Sequence, residues 1–108
     1  EKPEDVQRTL VSFTAETVTD AIRNFAPHIK ELRVCGGGAK NPLMISELAL
    51  LNPDLLVTTT ADLGVEPQDV EGLAFAWLAY RFDCRATGNL PSATGASGSR
   101  ILGCLYRA

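Results

Sequence analysis

The stretch VCGGGAKNPLM, residues 34–44, places three consecutive glycines between a short apolar segment and a helical pattern. Glycine loses more backbone entropy on folding than any other residue, so a run of three at one point requires a physical reason. Beyond the glycines, Asn41 is a favoured helix N-cap and Pro42 suits the first helical turn. The stretch therefore predicts a strand, a tight glycine turn and a capped helix, in that order.

The segments on either side of the glycine turn alternate between helical and strand patterns. Apolar residues at helical spacing, together with the positions of the prolines, predict three helices, at residues 4–26, 42–51 and 67–85. Runs of β-branched and apolar residues predict three strands, at residues 32–35, 54–60 and 100–108. Residues 86–99 are rich in glycine and serine and predict a loop. The resulting order, α-β-α-β-α-β, predicts an α/β fold with a mostly parallel sheet.

The composition bounds the classes of function open to the chain. Its 108 residues suit one domain, and its 45% apolar and 21% charged residues are typical of globular proteins. The net charge of −3 argues against nucleic acid as a partner, because nucleic acid favours a basic surface. No apolar run reaches the roughly 18 residues that a membrane-spanning helix needs. We therefore expect neither a nucleic acid nor a membrane as partner.

Several residues are predicted to be buried. The segment GLAFAWLAY, residues 72–80, is apolar nearly all round a helix, which predicts that it packs against another layer. Trp77 falls in step with the other apolar residues of that helix, so we expect it in the core. The cysteines Cys35, Cys84 and Cys104 form no C-x-x-C pair. They are therefore predicted to be small buried hydrophobes in a reducing compartment rather than metal ligands.

The glycine turn has two interpretations. In many α/β proteins a strand, a glycine turn and a capped helix bind phosphate, because backbone N–H groups without a neighbouring Cβ can approach an anion. The spacing here matches neither a dinucleotide fingerprint nor a P-loop, since Lys40 is not followed by Ser or Thr. The other interpretation is a tight turn that merely requires positive φ angles. We favour a nucleotide lying against the main chain.

Four blocks in a fixed order resemble the C-terminal part of anhydro-N-acetylmuramic acid kinases, which belong to the actin and sugar-kinase superfamily. The resemblance runs from about Phe13 to the end of the chain, through VCGGGAKNPLM, VTTTADLGVEPQDVEGLAFAWLAYR, GNLPSATGA and ILGCLYRA. It implies that residues 1–108 are a C-terminal lobe fragment of a two-lobe kinase with ribonuclease-H-like topology. The first residue, Glu1, is not methionine and also favours a piece of a longer protein.

The resemblance also implies an activity for the full-length protein. Kinases of this family use ATP and Mg²⁺ to cleave the anhydro bridge of anhydro-N-acetylmuramic acid and to phosphorylate the sugar, a step in peptidoglycan recycling. Members are cytoplasmic and usually homodimeric. The glycine loop for the β- and γ-phosphates and the aspartate base belong to a part that this chain does not contain. The fragment is therefore expected to be inactive alone, and it receives no catalytic residue and no metal ligand.

Particular residues take roles from the same resemblance. Gly36, Gly37 and Gly38 match the glycines that lie against the ribose and phosphates of ATP. Asn41 matches the position that caps the following helix and reaches the nucleotide. Glu71 matches a glutamate expected to face the sugar, although a carboxylate in a first helical turn also simply complements the helix dipole.

Two alternatives stay open. The chain could be a non-catalytic nucleotide-binding or interaction module of the same fold, since no constellation of catalytic residues is visible in it. It could also come from another branch of sugar kinases, of the glycerol or xylulose type. Those kinases share the GGG block but not the pair formed by VTTTADLG and EGLAFAWLA.

Overall fold

The structure, a computed structural model, describes residues 2–106. The elements in this part of the chain are the α-helices α1 (Pro3–Phe25), α2 (Pro42–Leu51), α3 (Val70–Asp83) and α4 (Pro91–Thr94), the strands β1 (Glu31–Val34) and β2 (Leu56–Thr59), and the 3₁₀-helices η1 (Gly37–Lys40) and η2 (Thr60–Leu63). They form two compact units, of which the first ends at Val70 and the second begins at Glu71.

Helices α1 and α2 form the helical layer of the first unit, and their predictions are confirmed. Proline occupies the first turn of both helices. The buried side chains of α1 are Ala15 and Thr19, and Leu48 is the buried residue of α2. The core of this unit therefore lies where the middle of α1 meets the end of α2.

A buried polar contact fixes these two helices against each other. The amide Nδ2 of Asn52 donates to Oγ1 of Thr19 at 2.8 Å and to the backbone oxygen of Leu48 at 2.8 Å. Thr19 is 1% exposed and Asn52 is 7% exposed. Loss of either partner would leave a buried polar group unsatisfied, which costs about 1–3 kcal/mol.

The sheet of the first unit consists of β1 and β2, which run parallel as predicted. Glu31 lies opposite Leu56 at one end, and Val34 lies opposite Thr59 at the other. Because the strands are in register and parallel, their carboxyl ends share one edge of the sheet. Both 3₁₀-helices, η1 and η2, begin just beyond that edge.

The predicted final strand is wrong for residues 100–106, and its last two residues lie outside the described part. Within that part, no backbone hydrogen bond joins residues 101–106 to a strand, and Gly103 has a φ of 106°, which interrupts an extended conformation. The segment instead packs on α3 with its side chains, since Leu102 and Leu78 both lie beside Gly88. Apolar character alone does not make a strand when no partner strand is adjacent.

The predicted loop at residues 86–99 contains the short helix α4. Pro91 occupies its first turn, and Gly95 ends it in the left-handed conformation with its N–H donating to the oxygen of Pro91 at 2.9 Å. A proline at the start and a glycine just after the end are the usual signals for a helix. Both signals are present in the sequence, but a helix of four residues is too short to show an apolar periodicity.

The predicted burial of Trp77 and of the cysteines is also wrong. Trp77 is 52% exposed, and all three cysteines are free and exposed. The guanidinium of Arg81 lies 5.5 Å from the centre of the Trp77 ring, a cation–π contact suited to an exposed indole. Helix α3 is apolar over most of its surface, and several of its large apolar side chains are exposed. None of the helices in the described range combines the length and apolarity that crossing a bilayer requires.

Candidate functional site

Gly36 begins the glycine turn in a conformation that only glycine adopts readily. Its φ of 75° and ψ of −167° lie in a region that is closed to residues with a Cβ. Its N–H donates to the backbone oxygen of Pro67 at 2.7 Å. The backbone geometry of the turn is therefore enough to explain the first of the three glycines.

Gly37 and Gly38 are not explained in that way. Both lie in η1, and neither has a positive φ. A Cβ added at either position would meet no atom within 4 Å, and both residues are exposed. Neither backbone strain nor internal packing requires glycine at these positions. The interpretation as a turn that only needs positive φ angles therefore accounts for Gly36 and leaves its two neighbours unexplained.

The same two residues offer backbone donors. In the described residues the N–H groups of Gly37 and Gly38 have no hydrogen-bond acceptor, whereas Ala39 and Asn41 donate back into the turn at 3.2 and 3.0 Å. The first N–H groups of any helical turn lack intrahelical partners. Here they lie on exposed main chain without side chains, where an anionic or carbonyl oxygen can approach them.

Asn41 follows the turn and caps α2, as predicted. Its Oδ1 accepts from the N–H of Leu43 at 3.0 Å and from that of Met44 at 3.4 Å. Its Nδ2 has no partner in the part of the chain that the structure describes, and the residue is half-buried. Asn41 therefore stabilises the helix with one half of its amide and presents a donor with the other half.

The end of β2 completes the same edge of the sheet. The hydroxyl of Thr58 donates to the carboxylate of Asp62 in η2. The hydroxyl oxygen of Thr60 is buried without a hydrogen-bond partner in the described range. Of these two threonines, Thr58 thus links β2 to η2. The sequence had no signal for its link to Asp62 beyond the spacing of four residues.

Glu71 belongs to a different compact unit from the glycine turn. It lies in the first turn of α3, is exposed and belongs to the second unit. Within residues 2–106 its carboxylate makes neither a hydrogen bond nor an ion pair. Gly36, Gly37, Gly38 and Asn41 thus lie together between β1 and α2. The binding roles of these four residues and of Glu71 stay predictions.

Metal-ligating side chains are not clustered in the described residues. No three His, Cys, Asp or Glu side chains in them are grouped so that they could hold a metal ion.

A groove opens at the other edge of the sheet, where the strands begin. It has a volume of about 660 Å³ and is lined by residues such as Ile29, Lys30 and Leu55. The groove thus lies away from the glycine turn, which is an open surface of main chain. A ligand at the turn would contact backbone donors instead of entering this groove.

Comparisons with known proteins agree with the resemblance seen in the sequence. A family model described as Anhydro-N-acetylmuramic acid kinase matches residues 1–108. Proteins of that name from Burkholderia pseudomallei (strain 1710b) and Burkholderia thailandensis are each 54% identical to this chain, and one from Burkholderia vietnamiensis is 56% identical. Each alignment covers 96% of this chain and 28% of the relative. The chain therefore spans little more than a quarter of the length of the curated relatives it matches.

Proposed function

This chain belongs to the anhydro-N-acetylmuramic acid kinase family, and from that premise we propose that it forms the C-terminal part of an ATP-dependent kinase. The complete enzyme would add water across the anhydro bridge of anhydro-N-acetylmuramic acid and transfer the γ-phosphoryl group of ATP to the sugar, releasing ADP. We propose that this reaction serves peptidoglycan recycling in the cytoplasm. The residues of this chain would contribute binding and orientation rather than a catalytic base.

The observation that carries the proposal is the open main chain at Gly37 and Gly38. No internal contact and no positive φ requires glycine there. A group from outside the chain that lies directly against the backbone would explain both residues, because a side chain at either position would occupy its space. The nucleotide of a kinase is the group that the family implies at this place.

The donors around the turn fit a nucleotide. The N–H groups of Gly37 and Gly38 and the free Nδ2 of Asn41 can donate to ribose or phosphate oxygens. The N-terminus of α2, which Asn41 caps, adds a favourable dipole for a phosphate. When bound, ATP supplies the phosphoryl group. The glycine turn would hold and orient the ATP molecule. We propose that the bound ATP carries Mg²⁺, which would neutralise charge on its phosphates.

The position of these donors in the fold supports the proposal. A parallel pair of strands with its glycine turn at the carboxyl edge is consistent with a ribonuclease-H-like lobe, since open α/β sheets bind ligands at that edge. We propose that residues 1–108 belong to the C-terminal lobe of a two-lobe kinase and that Glu71 faces the sugar. We further propose that the full-length enzyme is a homodimer.

The test uses the full-length polypeptide that contains this chain. ATP should be converted to ADP only when the anhydro sugar is present, with one sugar phosphate formed for each ADP. Gly37→Val should weaken ATP binding, measured by titration calorimetry, because its side chain enters the space of the nucleotide. Conversion of ATP that responds only to another sugar would point to a different branch of sugar kinases. ATP binding without any turnover would support the non-catalytic module instead.

A further inference from the structure

The glycine turn is fastened to a segment that lies far from it in the sequence. The N–H of Gly36 donates to the oxygen of Pro67 at 2.7 Å, which is at the short end of the range for such bonds. Pro67 itself is buried. The position of the turn therefore depends on where the chain before α3 places one carbonyl group.

We call residues 60–67 the brace. It starts directly after β2, whose last residue, Thr59, lies opposite Val34 at the end of β1. Its first part is η2, which Gly64 ends in the left-handed conformation with its N–H donating to Ala61 at 2.9 Å. The N–H of Val65 then donates to the oxygen of Thr60 at 3.3 Å. The brace is thus folded back on itself before it reaches Pro67.

In the described residues, one side-chain hydrogen bond joins the brace to β2. The hydroxyl of Thr58, in β2, donates to the carboxylate of Asp62, in η2. In the described residues Asp62 has no other hydrogen bond and no ion pair. The carboxylate is exposed to solvent, yet its one partner belongs to the strand that ends beside the glycine turn. A hydrogen bond to an ionised acceptor is stronger than one between neutral groups.

We infer that Asp62 is a positioning residue for the nucleotide, acting through Thr58 and the brace. By holding η2 on the end of β2, it sets the position of the Pro67 carbonyl. That carbonyl in turn holds Gly36, so that the N–H groups of Gly37 and Gly38 face outward in a fixed direction. This inference rests on the proposed function, because it takes the glycine turn to be the place where ATP binds.

The test compares Asp62→Ala, Asp62→Asn and Thr58→Val in the full-length polypeptide. Asp62→Ala and Thr58→Val should each raise the KM for ATP and the Kd for ATP about tenfold, while kcat and the KM for the sugar change less than about twofold. Asp62→Asn keeps an oxygen acceptor for Thr58 and should restore ATP binding to near the original value. Titration calorimetry without the sugar measures the Kd independently of turnover.

A second readout follows the hydrogen bond itself. Amide hydrogen exchange at Gly36 should become faster in Asp62→Ala and Thr58→Val but not in Asp62→Asn, because only the first two release the brace. Asp54→Ala is the matched control, since Asp54 is an exposed aspartate that precedes β2 at the opposite edge of the sheet. It should leave both ATP binding and the exchange at Gly36 unchanged.

The outcomes separate this inference from the proposed function. If Gly37→Val weakens ATP binding while Asp62→Ala and Thr58→Val do not, the nucleotide site stands and the role of Asp62 is wrong. If Asp62→Ala fails to fold, the ATP affinity of Thr58→Val decides whether the hydrogen bond positions the nucleotide. Asp62→Asn, which keeps the hydrogen bond, is then the variant to which Thr58→Val is compared. If Gly37→Val also leaves ATP binding unchanged, the site itself is wrong and the inference falls with it.

Discussion

The N–H of Gly36 donates to the carbonyl oxygen of Pro67 at 2.7 Å, so the turn after β1 is held by the chain that follows β2. This link separates the roles of the three glycines. Gly36 has a conformation and a hydrogen bond that belong to the fold, whereas Gly37 and Gly38 have open space above them.

Gly37→Ala should leave the fold intact and weaken ATP binding. The added methyl group meets no atom of the chain and the φ angle is compatible with alanine, so stability should change by less than about 0.5 kcal/mol. ATP binding should weaken about tenfold or more, because the methyl group lies where the nucleotide approaches. Gly72→Ala, which also adds a methyl group in open space, is the control and should keep full ATP affinity. Equal affinity for both variants would contradict the assignment.

Asn41 should show two separable roles. Asn41→Ala removes the cap of α2 and should lower the free energy of unfolding by about 1 kcal/mol. Asn41→Asp keeps an oxygen that accepts from Leu43, so stability should be retained. The new negative charge and the loss of the free Nδ2 should nevertheless weaken ATP binding. Urea unfolding and titration calorimetry measure the two effects, and retention of ATP affinity in Asn41→Asp would show that Asn41 is a cap only.

Thr19→Val should destabilise the first unit. The substitution removes the acceptor for Nδ2 of Asn52 inside the contact of α1 with α2, which should cost about 1–2 kcal/mol. Thr17→Val, on the exposed face of the same helix, serves as the control and should stay within about 0.5 kcal/mol of the original protein. Urea unfolding followed by circular dichroism gives both values. A similar loss for both variants would mean that the buried amide is not a specific contact.

Arg85→Gly should stabilise the second unit. Arg85 has a positive φ of 52° at the end of α3, where the N–H of Ala86 donates to Arg81 at 2.8 Å and the N–H of Arg85 donates to Phe82 at 3.0 Å. This helix end normally takes glycine, and a side chain in the left-handed region costs about 1 kcal/mol. The gain should appear in thermal unfolding. Arg85→Ala keeps the unfavourable conformation, and an equal gain from it would refute the explanation.

Local signals predicted most of the first unit. Asn41 and Pro42 act within one turn of α2, so the capped helix could be placed from the sequence, and the alternation of elements gave the parallel pair of strands. The family resemblance gave the candidate site residues. The structure adds that neither contacts nor a positive φ requires glycine at positions 37 and 38.

Features that depend on distant partners could not be predicted in the same way. The segment ILGCLY is apolar enough for a strand, but a strand also needs a neighbouring strand to pair with. The positive φ of Gly103 interrupts the extended conformation. The spacing of apolar residues shows which face of α3 is apolar. It does not show whether other residues pack on that face and bury Trp77. The hydrogen bond between Gly36 and Pro67 joins two backbone groups, and backbone groups carry no signature of their partner in the sequence.

The two-stranded sheet has a consequence for handling the protein. Within the described residues, each strand pairs on one side only, so four-residue stretches of N–H and C=O groups remain ready to accept another strand. A pair of strands is only marginally stable without further neighbours. When this piece is produced by itself, intermolecular strand addition is the expected route to aggregation. In a longer polypeptide, further strands of the same sheet would pair with these groups.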